Sequence, residues 1–167
     1  MKKNDDLTLE IGDLVVYPIY GVGEIEDFDT YNVDGSTQDL ILINFKQDKM
    51  KLRIPKDKAS NSGLRKLSNK NRLSKALEVL AEMPAVKKDM WIKRAKEYEK
   101  NINSGDPVLI AEVVRDLHKK EDSLEQQSYS ERQIYLTALN RLSNEYAAVQ
   151  NLDKKAAKVK LEELLNQ

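Results

Sequence analysis

Two spacings of apolar residues divide this chain. Over residues 13–54 they come in short β-rich runs: Leu14 to Tyr17 ahead of Pro18, then Ile25, Phe28 and Tyr31 among acids, then residues 40–45, and finally Met50, Leu52 and Ile54 in strict alternation up to Pro55. Alternation puts those last three on one face of a strand and Lys51 and Arg53 on the other. Phe28 breaks the period between Ile25 and Tyr31, which predicts a bulge. Gly21-Val22-Gly23 reads as a bend between strands. Asp34-Gly35 reads as the positive-φ pair of a hairpin turn, in a loop lengthened by Ser36 and Thr37. Four or five short strands over residues 8–58 predict a small, strongly bent barrel of SH3 or Tudor type.

Beyond a Ser/Asn/Gly-rich stretch at 59–70 the spacing becomes helical. Leu73, Ala76, Leu77 and Leu80 fall on one face of a helix over 72–83, which Pro84 ends. A second helix carries Trp91 and stops near Gly105. Asp106-Pro107 opens a third, with Asp as cap and Pro at the first helical position, and presents Ile110, Val113, Val114 and Leu117. Ser128 or Ser130 starts a long helix to about residue 150, and Asp153 caps a last one ending near Leu165. The expected class is α+β. A flexible tail at 1–7 precedes a β domain at 8–60, a connector at 61–70 and an all-α bundle of about five helices at 71–167.

Charge changes this picture more than composition does. Lysine plus arginine equals aspartate plus glutamate, 28 against 28. The balance is uneven along the chain, however: −8 over residues 1–40, +9 over 46–75 and a further +3 over 84–100. Such asymmetry suits separate surfaces for separate partners, and it equally suits adjacent strands that pair opposite charges. Arg53, outward on a rigid strand, is suited to fork onto a partner's carboxylate or to pair with an acidic neighbouring strand.

The only tryptophan, Trp91, lies in a run of bases at 87–96. With Asp89 as cap it falls in the opening turn of its helix, in one stripe with Ala95, Tyr98 and Ile102, while Lys93, Lys96 and Lys100 lie away from that stripe. An indole at a helix start beside a basic face suits an apolar wedge over a phosphate-gripping surface. The same stripe also suits a helix packed on a core.

The pattern lacks cysteine- and histidine-based catalytic chemistry, and among 28 acids no carboxylate pair stands out for acid–base work. There is no Cys and a single His, His118, so no cysteine nucleophile, Ser-His-Asp triad or thiolate or histidine-based metal cluster can form. His118 itself is read as a surface residue near a helix end. The glycines at 21 and 23 are followed by a strand rather than a helix, so they are no phosphate loop. Asp27, Asp29, Asp34 and Asp39 miss the spacing of a calcium loop. Neither an enzyme nor a cofactor is expected. No apolar run approaches the ~20 residues of a membrane helix, and a soluble cytoplasmic protein is expected.

Taken together, Val15-Val16-Tyr17-Pro18 with Gly21-Val22-Gly23, the strand Leu52-Arg53-Ile54-Pro55, the helix start Trp91-x-Lys93-Arg94, and Ser104-Gly105-Asp106 leading to Ile110-Ala111-Glu112-Val113-Val114-Arg115-Asp116-Leu117 resemble the bacterial CarD/CdnL family, in register over about residues 9–165. The first half alone also resembles the RNA-polymerase-interacting domain of the transcription-repair coupling factor. The resemblance implies a Tudor-like domain that holds the β subunit of bacterial RNA polymerase, and a helical domain that touches promoter DNA at the upstream edge of the transcription bubble. It implies polymerase contact at Arg53, with Lys51 beside it. Tyr31 stands where the family has a second basic contact. Trp91 falls on the family's minor-groove wedge, and Lys93 and Lys96 fall on its basic DNA contacts, with Arg94 between them. A monomeric regulator of low sequence specificity is expected. The alternative is a protein-interaction module that binds polymerase or another partner without touching DNA, Trp91 being structural.

Overall fold

Residues 7–167 are described by a computed structural model, apart from the side chains of Glu121 and Asp122. Of the tail expected at 1–7, residues 1–6 lie outside the described residues, and Leu7 packs against the core of the first unit. The described chain divides into two compact units, one up to Leu67 and one from Ser68.

The first unit is a five-stranded antiparallel sheet: β1 (Leu14–Tyr17), β2 (Gly21–Val33), β3 (Ser36–Phe45), β4 (Met50–Pro55) and β5 (Arg65–Lys66), in the order β4-β3-β2-β1-β5. The first four strands run as a meander. After β4 a 3-10 turn at Lys56–Lys58 carries the chain back, and β5 pairs with β1. This is the SH3/Tudor connectivity expected from the strand spacing. The alternating apolar side chains meet inside it: Val15, Ile25, Ile41, Ile43, Phe45 and Ile54 are buried together with Ala59 and Leu64.

Four local expectations are corrected. Gly21 and Gly23 belong to β2, paired with Tyr17 and Val15 of β1, so the chain turns at residues 18–20. Ser36 and Thr37 begin β3 and do not lengthen the loop: Val33 pairs with Ser36 across a two-residue turn of Asp34 (φ 50°) and Gly35 (φ 80°). The bulge falls between Ile25 and Asp27, a step earlier than Phe28. Arg65 and Lys66, inside the stretch read as connector, form β5, because a two-residue strand is too short to show a period.

The second unit contains α1 (Lys70–Ala81), α2 (Trp91–Asn103), α3 (Pro107–Leu117), α4 (Tyr129–Gln150) and α5 (Lys154–Leu165). Asn69, Asp106, Ser128 and Asp153 each accept a hydrogen bond from a backbone N–H in the first turn of the helix that follows. Asp106 also pairs with Arg72 of α1, tying the start of α3 to its neighbour. Each helix contributes a buried stripe to one core built around Leu73, Tyr98, Val113, Leu117, Leu139, Leu142 and Leu161. Asn151 ends α4 in the left-handed region, at φ 53°.

Candidate nucleic-acid and protein interfaces

On the outer face of the sheet, Lys51 and Arg53 project from β4, opposite Asn44 and Leu42 of β3. Beyond β3 the same face carries the acids of β2. Lys51 Nζ donates to Glu26 Oε1 at 2.7 Å, and Arg53 Nε lies 3.7 Å from Asp29 Oδ2. Lys46 Nζ bonds Glu24 Oε2 at 2.8 Å, and that hydrogen bond, with the carboxylate's charge behind it, raises the lysine's pKa above its ordinary value. The acidic run at 24–29 and the basic run at 46–53 are therefore partners across one sheet face. Arg53 still leaves 57% of its side chain exposed, and its strand is the edge of the sheet. Tyr31, half exposed, shares the face with Asp29 by the period of two but stands opposite Gln38, beyond the reach of β4 pairing.

In the helical unit Trp91 stands in the opening turn of α2 as expected, but as its first residue, and Asp89 does not supply the cap. The position before the helix is Met90, no side chain caps it, and Asp89 pairs with Lys93 one turn on, at 3.1 Å. Among the described residues α2 is the one α-helix whose N–H groups meet no capping side chain. Trp91 itself is partly buried. Its ring tilts at 45° to that of Tyr98 at 6.4 Å, and its Nε1 donates to Ser130 Oγ of α4 at 2.8 Å. Tyr98 and Ile102 continue the stripe into the core.

The bases around the indole divide by role. Lys93 and Lys96 are exposed. Arg94 is turned inward: its guanidinium lies 5.5 Å from the Trp91 ring centre and 5.9 Å from that of Tyr98, and its Nε is buried without a hydrogen-bond partner among the described residues. The expectation of Arg94 as a DNA contact thus meets a side chain stacked on two aromatic rings. Lys87 also lies over the Tyr98 ring, at 4.5 Å from its centre, and pairs with Glu97 at 3.3 Å. The sequence offers Ser130 only as an alternative to Ser128 for the start of the long helix, and Ser128 takes that role; nothing in a chain marks the contact of Ser130 with a ring 39 residues away. Its signal lies one step back, in the capping box Ser128-x-x-Glu131, which fixes where α4 begins.

His118 lies at a helix end as expected and is partly buried there, with both ring nitrogens engaged. It ends α3, and its ring nitrogens lie 3.0 Å from the Tyr135 hydroxyl and 3.1 Å from Asn166 Oδ1. Burial, reinforced by Glu162 and opposed by Arg132, pushes the Tyr135 phenol up to about 12 from its ordinary 10. A folded-state value above the unfolded one means that the neutral phenol stabilises the fold fully below about pH 10, and that this contribution is lost as pH rises through about 12. Phenolate absorbance in an alkaline titration is expected to show a step near pH 12 accompanied by loss of helical ellipticity. Replacement of Tyr135 by Phe is expected to remove that step. No group of three or more metal-ligating side chains occurs among the described residues, and no described helix is long and apolar enough to cross a membrane.

Comparison with known proteins agrees with this division. A family model described as "CarD, C-terminal domain" matches residues 75–162, and one described as "CarD-like/TRCF RID domain" matches residues 9–68. A protein of Bacillus subtilis (strain 168) named "Putative transcription factor YdeB" is 28% identical over 151 residues, a match covering 89% of this chain and 97% of that one. The solution NMR structure of the 72-residue N-terminal domain of Myxococcus xanthus CarD is 32% identical over 36% of this chain and 80% of that domain, with a TM-score of 0.31.

Proposed function

The chain belongs to the CarD family, and from that premise we propose that it is a transcription regulator that binds the β subunit of bacterial RNA polymerase through residues 8–60 and stabilises the promoter open complex through residues 71–167. The observation that carries the DNA half is the start of α2: an indole of fixed orientation, exposed Lys93 and Lys96 beside it, and a first turn whose N–H groups no side chain caps. Lysines and free helix N–H groups suit phosphates, and a rigid indole suits the minor groove at an unstacked step. On the polymerase side, Arg53 on an edge strand offers a forked donor, with Lys51 and Tyr31 on the same face.

The proposed mechanism is linkage. A protein tethered to polymerase that grips DNA only where the bubble edge is distorted binds the open complex better than the closed one, and shifts the equilibrium by the difference. A tenfold shift asks for ~1.4 kcal/mol, within the reach of an inserted ring and two phosphate contacts. Tethering also lets a chain of zero net charge act on DNA, because polymerase raises the local DNA concentration. Contacts of this kind read deformability rather than base edges, so sequence specificity is low.

One observation favours the second reading, an interaction module with a structural tryptophan: Trp91 packs partly on the helical core and its N–H is satisfied internally. The two readings separate in one experiment. Promoter opening by the cognate polymerase is read from a fluorescent base in the bubble, with wild type, Arg53→Glu and Trp91→Ala, each first shown to be folded. The expected result is that Arg53→Glu loses polymerase binding, whereas Trp91→Ala binds polymerase but loses about tenfold in opening. A folded Trp91→Ala protein that opens promoters as wild type does would rule out the wedge and leave the module.

A further inference from the structure

We propose that Tyr129, the first residue of α4, is a second aromatic contact of the same edge and stacks on an unpaired base of promoter DNA. The inference rests on the DNA-contacting role proposed for Trp91. In the helical unit Tyr98, Tyr135 and Tyr146 are buried, yet Tyr129 is 80% exposed. Its position is fixed by its neighbours on both sides: Ser128 caps the helix, and Ser130 holds the Trp91 indole at 2.8 Å. The backbone of Tyr129 is thus a single residue from the side chain that grips Trp91. The start of α2 adds Met90 at 78% exposure and Ile92 at 69%, and the one hydrogen bond from Trp91 to Ser130 ties that helix start to the one that carries Tyr129.

The charge beside this edge selects its occupant. Lys88, Lys93 and Lys96 are exposed around the α2 start, and its first-turn N–H groups are uncapped. An apolar protein surface would gain nothing from those donors. A nucleic acid uses both kinds of group, phosphates taking the lysines and N–H groups while a base takes the ring. The base is an unpaired one, because a base inside a duplex has both faces covered, and wedging a step open frees the face next to it. Stacking needs the face of the tyrosine ring and makes no use of its hydroxyl.

The test uses the full chain with its cognate polymerase on a promoter carrying a fluorescent purine analogue at the upstream edge of the bubble. Tyr129→Ala, Tyr129→Phe and Trp91→Ala are compared, with polymerase affinity and circular dichroism measured alongside. Tyr129→Phe is expected to open promoters as wild type does. Tyr129→Ala is expected to keep its fold and polymerase affinity while lowering the open-to-closed ratio by about fivefold or more, the lower end of what base–ring stacking contributes. If Trp91→Ala fails and Tyr129→Ala matches wild type, the stacking role is overturned and the wedge stands. An equal loss in Tyr129→Phe would also overturn it, since the hydroxyl would then be the contact. If neither alanine variant matters, the underlying reading of Trp91 falls with it.

Discussion

Gly23→Val is expected to leave residues 7–67 without a stable fold. A Cβ built on Gly23 would stand 2.6 Å from Ile43 Cγ2 and 2.8 Å from Phe45 Cε1, both of them buried side chains of the barrel. Neither has solvent to move into, so the strain cannot be relieved by swinging an exposed end aside. Overpacking a tight core by even one carbon costs roughly 1–3 kcal/mol, and valine adds two more carbons. A domain of about 60 residues starts from only a few kcal/mol of stability, so the loss exceeds what is available. Amide chemical-shift dispersion is expected to collapse for the strands. The helical unit has its own core and the only tryptophan, so it is expected to keep a cooperative fluorescence transition. Persistence of the strand signals in Gly23→Val would show that Ile43 and Phe45 of β3 can repack around a side chain on β2 without unfolding the barrel.

The second large effect is expected of Tyr98→Ala. Tyr98 is among the largest fully buried side chains, and it is the wall against which the candidate DNA edge is built: Trp91 tilts against it, and Arg94 and Lys87 lie over its ring. Truncating a buried aromatic to Ala costs about 3–5 kcal/mol from lost burial and the cavity left behind. Denaturant unfolding followed by circular dichroism reads that loss. Where the variant still folds, Trp91 keeps its bond to Ser130 but loses the ring beside it, so its emission is expected to shift toward that of a solvated indole. Tyr98→Phe keeps the packing and is expected to stay within ~1 kcal/mol of wild type. A small loss for the alanine variant would mean that the core recloses around the vacancy, and that the orientation of Trp91 is set by Ser130 alone.

What was legible in the sequence follows from the range over which each signal acts. Asp106-Pro107, Asp153 and Asp34-Gly35 act within three or four residues, and each is found doing what its chemistry suggests. The alternation of Met50, Leu52 and Ile54 assigned the outward positions of Lys51 and Arg53 correctly, because a strand has only two faces. The charge blocks were legible as blocks, but whether they faced partners or each other needed the register that sets Asp29 near Arg53 across an intervening strand. At α2 the failure is different. Asp89 had the right chemistry for a cap at one residue's remove, but the helix begins at Trp91 and the carboxylate takes Lys93 instead. Arg94 shows the limit most clearly. In the sequence it is one base among several, and only the fold reveals that it lies on two aromatic rings while Lys93 and Lys96 reach solvent.

The cross-strand pairing on the outer face of the sheet bears on how any partner would be chosen there. Arg53 already has a carboxylate within 4 Å, so an incoming acid exchanges with Asp29 rather than meeting an idle cation. The number of counterions set free in that exchange is small, and dissolved salt weakens the resting pair and the new one alike. Association through this face should therefore have a shallow dependence on ionic strength, unlike a grip on phosphates at the other unit. The exchange also penalises the wrong visitor, because a surface bringing its own cation to Arg53 meets like charge, while one bringing nothing must leave the existing pair intact.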